Sequence, residues 1–250
     1  MEFVRPPPSL REARSTLYEA FSIFPVPFDL EGCPHCVADE ESAFLASQPL
    51  SELLEVDLER FMWKAMTTWG TVDDFRYFLP RLVELANGGL CWDLGLLRSK
   101  LDYGDWELWP QPMQDAVYEY LLAWWWDVES GGQSEGGTAC AVLSEFLDFG
   151  FELAVLLSAW ELPAFREDMN SSVVRRRALS FAHFLESGEW RRVEEASLFL
   201  PDPAAEQLGL WLMSERPLDL LYWATAEHNS AGVEKKTLSD AVSTLRRWRQ

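Results

Sequence analysis

Residues 57–86 read DLERFMWKAMTTWGTVDDFRYFLPRLVELA, and their periodicity decides the fold. Leu58, Phe61, Met62, Ala65, Met66 and Trp69 recur at helical spacing, so a first amphipathic helix is expected from Asp57, a plausible N-cap, to Trp69. Thr71 followed by Asp74 has the form of a capping box, and Val72, Phe75, Phe78, Leu79, Leu82 and Ala86 carry the stripe into a second helix. Pro80 lies about two turns inside that helix and predicts either a kink or a break.

The same pattern extends in both directions. Upstream, Ser9 can cap a helix over residues 10–24, stopped by Pro25 and Pro27, and a short helix is expected over 39–46. Downstream, Asn87-Gly88-Gly89 offers C-cap chemistry, and helices are expected near 94–101, 112–130, 138–149, 151–160, 165–186, 189–199, 204–214, 217–228 and 235–249. No segment alternates β-branched residues with period two. The expected fold is all-α, an irregular array of about ten to twelve helices in antiparallel pairs, with a HEAT-like α-α superhelix the nearest regular form. WELWP at 106–110 and WELP at 160–163 echo each other without setting a repeat period. The chain reads as one helical domain, 1–250, and the glycine-rich stretch 131–137 is where it would divide into 1–130 and 138–250. Trp124-Trp125-Trp126 covers most of one helix circumference, so at least one indole must meet a second layer, solvent or a partner.

Composition narrows the function. A 250-residue chain that is 48% hydrophobic and holds 13 Trp and 15 Phe can bury a sizeable core, which places its net charge of -20 on the surface. That charge argues against nucleic acid and anionic membranes as partners and leaves a basic protein as the expected one. Residues 229–250 oppose the trend, with five cations against two carboxylates for a local +3. No stretch has the length and apolarity of a membrane span, the N-terminal MEFVRPPPSLREARS lacks an apolar signal core, and the cysteine pattern is no disulfide framework. The expected compartment is the cytoplasm.

Cys33-Pro34-His35-Cys36 is the sharpest chemical motif. Its four letters match the redox motif of DsbA-like oxidoreductases, although strands of the thioredoxin kind are not expected here. Cys33 and Cys36 would also serve as half of a zinc site, with Cys91, Cys140, His183 or His228 as the remaining ligands; zinc is therefore the cofactor to look for. The bland alternative is a structural turn packed against the helix pair that follows. GQSEG at 132–136 matches a nucleophile elbow in letters but lacks the preceding strand. His183 falls off its helix's apolar face, and His228 suits a helix end. Trp69, Asp73, Asp74 and Arg76, polar and aromatic groups around a helix start, are candidate binding residues.

The GCPHC turn, the run KAMTTWGTVDDFRYFLPRLVELA and the later LDYGDWELWP together resemble an uncharacterised family of bacterial helical proteins with a GCPxC-like turn and a KAxTTWGxVDDFxxFLPR run. The similarity covers roughly residues 20–125. It implies a helical fold and a bacterial origin and brings no activity. Two functional expectations stand: a non-enzymatic interaction module presenting an acidic surface to a basic protein, in the manner of an immunity protein or antitoxin, and a metal- or thiol-dependent protein using Cys33 and Cys36.

Overall fold

A computed structural model describes residues 6–86, 93–129, 139–162, 170–188, 202–226 and 232–250. Among them the fold is all-helical and irregular, with twelve α-helices and no strand. The expected helix at 189–199 and the Asn87-Gly88-Gly89 cap lie outside the described residues. Contacts divide the chain inside one helix, between Trp124 and Trp125, into a unit of residues 8–124 and a unit of residues 125–250 that also takes in residues 6–7.

The first unit holds α1 (Leu10–Phe21), α2 (Asp39–Ser47), α3 (Glu55–Lys64), α4 (Val72–Ala86), α5 (Leu94–Tyr103) and most of α6 (Gln111–Glu129). Helix α4 is its axis: α1, α3 and α5 all pack on it. The stripe read from the sequence is the buried face, with Phe75, Phe78, Leu79 and Leu82 fully enclosed and the Phe61 ring of α3 tilted 57° to that of Phe78 at 4.7 Å. Each such side chain contributes about 1.5–3 kcal/mol through burial. Glu84 ties α1 to this axis, accepting from Tyr18 Oη at 2.7 Å and pairing with Arg14 and Arg81 at 2.9 Å each. Helix α4 runs unbroken through the buried Pro80. The ring removes one ladder hydrogen bond, and the packing on three sides outweighs that loss.

Two local details differ from the periodicity. Asp57 is not the N-cap of α3: the helix begins at Glu55, and the Asp57 carboxylate sits one turn in, accepting the Leu54 N–H at 2.8 Å. The helix also ends at Lys64 rather than Trp69. Met66 takes φ 63, the N–H groups of Thr67, Thr68 and Trp69 all return to the Lys64 carbonyl, and the chain reverses into a tight loop over 65–70. Apolar spacing continues across this reversal because Ala65 and Trp69 are buried by the loop itself.

The second unit holds the end of α6, α7 (Ala139–Phe149), α8 (Leu153–Leu157), α9 (Ser171–Ser187), α10 (Asp202–Met213), α11 (Glu215–Ala226) and α12 (Gly232–Trp248). Helix α9 lies against α11 and α12, and α8 against α7 and α10. Its core is aromatic: Trp160 meets Phe184 at 4.8 Å, Phe181 at 5.4 Å and Trp125 at 5.7 Å. All three tryptophans of the 124–126 run are buried, so the run faces inner layers and not solvent.

Candidate functional site at the Cys33–Cys36 turn

The stretch before α2 is held by backbone bonds to the 65–70 loop. Cys33 N–H donates to the Thr68 carbonyl at 2.8 Å and Gly70 N–H to the Glu31 carbonyl at 2.7 Å, an isolated antiparallel bridge centred on Gly32 and Trp69. Gly32 is required there by close approach, since a Cβ would lie 2.8 Å from Cβ of Val37. The chain then turns, with Cys36 N–H and Val37 N–H both donating to the Cys33 carbonyl at 2.8 and 2.9 Å. The motif is thus a turn ahead of α2 and not the first turn of a helix.

Two cations from α3 close the turn. Arg60 donates to the Cys36 carbonyl at 3.0 Å, and Lys64 Nζ donates to the same oxygen. Arg60 also pairs with Glu41 of α2, whose other oxygen accepts the Ala38 N–H at 3.0 Å. Cys33 and Cys36 are free thiols, each half-buried. The backbone at His35, then Cys36 and the Lys64 charge, hold the Cys33 thiol below the ordinary range against an opposing cost of burial.

These surroundings overturn the expected zinc site. Among the described residues no three His, Cys, Asp or Glu side chains stand together in a way that could hold a metal ion. Arg60 and Lys64 both stand on the Cys36 carbonyl, and their positive charges oppose a cation beside the pair. Of the proposed further ligands, Cys91, His228 and the side chain of Cys140 lie outside the described residues, and His183 is exposed on α9. The GQSEG stretch is likewise outside them.

A groove of about 430 Å³ opens beside the turn, lined by Phe28, Asp29, Glu31, Gly32, Asp39 and Ser42 among others. Phe28 is fully exposed at its rim, and Asp29, Glu31 and Asp39 face solvent. A second groove of about 280 Å³, lined by Glu40, Glu41, Phe44, Val56, Asp57 and Arg60, runs between α2 and α3.

The other candidate residues fall into two separate settings. Trp69 is buried, edge-on to Phe61 at 5.6 Å, and its Nε1 donates to Ser42 Oγ at 2.9 Å. Asp74 is occupied by the capping box read from the sequence, accepting from Thr71 N–H at 2.7 Å and Thr71 Oγ1 at 2.8 Å. Asp73 pairs with Arg76 at 2.9 Å, and the Arg76 guanidinium lies 4.4 Å from the Trp109 ring centre and 5.5 Å from that of Phe24. Sequence reasoning missed Arg60 and Lys64. They sit at i and i+4 on α3, a spacing that announces one shared helix face but not the carbonyl they meet 24 and 28 residues away.

The second unit contains a buried polar cluster that the sequence does not announce. Glu129 accepts from Trp160 Nε1 at 2.6 Å and from Ser180 Oγ, and Arg177 lies 3.9 Å over the Trp126 ring. Burial pushes the Glu129 carboxyl up, offset in part by those donors and by Arg177. Burial also pushes the Arg177 guanidinium down, to about 10, offset by Glu129. A mostly apolar groove of about 240 Å³ lies between α8 and α10, with Arg216 at its edge paired to Glu161.

Comparison of the chain with protein-family models, curated proteins and solved structures finds no match.

Proposed function

We propose that this chain is a non-enzymatic, cytoplasmic interaction module that takes a basic segment of a partner protein into the acidic groove beside the Cys33–Cys36 turn. Neutralising a cationic toxin, as an immunity protein or antitoxin does, is the specific form of this reading. The observation that carries it is how the cations are used. Lys100 donates to the carbonyls of Trp63 and Ala65, Arg81 to that of Leu53, Arg60 and Lys64 to that of Cys36, and Arg249 to those of Leu212 and Ser214. These positive charges complete the ends of helices and turns. Asp29, Glu31 and Asp39 around the groove have no cation paired with them among the described residues.

Unpaired carboxylates around a concave surface with an exposed aromatic rim suit Lys and Arg side chains, whose ammonium and guanidinium groups meet the acids while their stems cover Phe28. The cysteine usage, a single CxxC with two isolated residues, supports a reducing compartment. Hydrogen exchange of the full chain with a lysine-rich peptide tests the site. Protection of amides within residues 28–46 is expected, and protection that leaves this segment unchanged while appearing elsewhere contradicts the reading.

A further inference from the structure

The two thiols are placed for chemistry that the interaction reading does not use. A cysteine kept only for packing is enclosed, whereas Cys33 and Cys36 are both half-buried and stand at the two ends of one hydrogen-bonded turn. The Cys36 and Val37 N–H groups close the turn on the Cys33 carbonyl at 2.8 and 2.9 Å, and the Lys64 ammonium is anchored on the Cys36 carbonyl of the same turn. The turn is also fixed on both sides, at the Cys33 N–H by Thr68 and at the Cys36 carbonyl by Arg60 and Lys64. Cys33 is the thiol that the turn and the Lys64 charge lower, and Cys36 is held in the same turn.

We propose that Cys33 and Cys36 form a redox-active dithiol that exchanges with accessible disulfides, Cys33 attacking and Cys36 resolving. In the first step the Cys33 thiolate attacks one sulfur of a disulfide RSSR; the RS–SR bond breaks, a Cys33–SR bond forms, and RS⁻ leaves. In the second step Cys36 gives its proton to the departed thiolate and its sulfur attacks the Cys33 sulfur. The Cys33–SR bond breaks, the Cys33–Cys36 disulfide forms, and the second RS⁻ leaves and takes a proton from water. The dithiol loses two electrons, and RSSR becomes two RSH. The stabilising groups differ from those of a thiol at a helix N-terminus: they are the N–H groups of the turn and a lysine from α3. The charged and titratable groups around the pair are Arg60 and Lys64 of α3, Glu41 and Asp39 of α2, His35 in the turn, and Asp29 and Glu31 in the groove wall.

This inference stands apart from the interaction reading, because its test needs no partner. The reduced full chain is treated with hydroxyethyl disulfide, a neutral probe, and the peptide carrying residues 33–36 is mapped by mass spectrometry. The wild type is expected to accumulate the Cys33–Cys36 disulfide, and Cys36→Ser to stop at a mixed disulfide on Cys33. Alkylation by iodoacetamide is expected to be at least ten-fold faster at Cys33 than at Cys36 at pH 7, and to keep its rate to lower pH than in the same chain unfolded in urea. Lys64→Met, monitored for unchanged helicity, moves that pH profile upward. Equal alkylation of the two thiols, a Cys33 profile that coincides with the unfolded chain, or no adduct in Cys36→Ser overturns the proposal.

Discussion

Glu129 shows how much one residue can hold in the second unit. Its carboxylate satisfies the buried Trp160 indole and the Ser180 hydroxyl and faces the Arg177 charge, yet burial raises its pKa. A carboxyl whose folded pKa lies above its unfolded value favours the folded state at pH below the unfolded value, near 4.3, and loses that contribution as pH rises through the folded value. Glu129→Gln keeps an acceptor and has no such titration. The variant is therefore expected to gain stability relative to wild type between about pH 4, near the unfolded value, and about pH 7, read from urea unfolding at both pH values. A relative loss over that interval contradicts the assigned direction. Nothing in the sequence marks Glu129, because its partners come from 31 and 51 residues away and an acid near a helix end reads as surface. Asp74, whose partner is three residues away, was fully legible.

At the scale of elements, local spacing foretold the helices better than it foretold how they end. The stripes of α1, α3 and α4 are the faces now buried, since each helix covers one side against a neighbour. The reversal at 65–70 was not legible, because Met66 adopts a left-handed conformation that its residue type does not announce and the loop buries the same apolar positions a longer helix would. What holds that end of α3 is Lys100 of α5, buried, its Nζ donating to Trp63 O at 2.8 Å and Ala65 O at 3.1 Å, with burial lowering its pKa. Lys100→Met keeps most of the apolar stem and leaves two carbonyls without their donor, so it is expected to cost about 2 kcal/mol in denaturant unfolding. An unfolding midpoint equal to wild type would show that Lys100 does not hold the end of α3. The candidate site was legible in part: the CxxC letters gave its position, while its cationic surroundings came from α3 and were visible only once the chain had folded.

For the whole molecule the governing quantity is the net charge of -20 on 250 residues. Such a chain attracts cations from a distance, and that attraction is unspecific and screened over about 8 Å at physiological salt. A binding site differs from this background by place. The most direct measurement is therefore a titration of a fluorescent lysine-rich peptide, by anisotropy at about 0.15 M salt, against the wild type and two triple variants of identical charge change. One is Asp29→Asn/Glu31→Gln/Asp39→Asn in the groove, and the other is Asp127→Asn/Asp148→Asn/Glu152→Gln, exposed carboxylates of the second unit. The groove triple is expected to weaken binding at least ten-fold and the other triple less than two-fold. Equal losses in the two would show that the chain attracts basic peptides only by its total charge, and would contradict a site beside the Cys33–Cys36 turn.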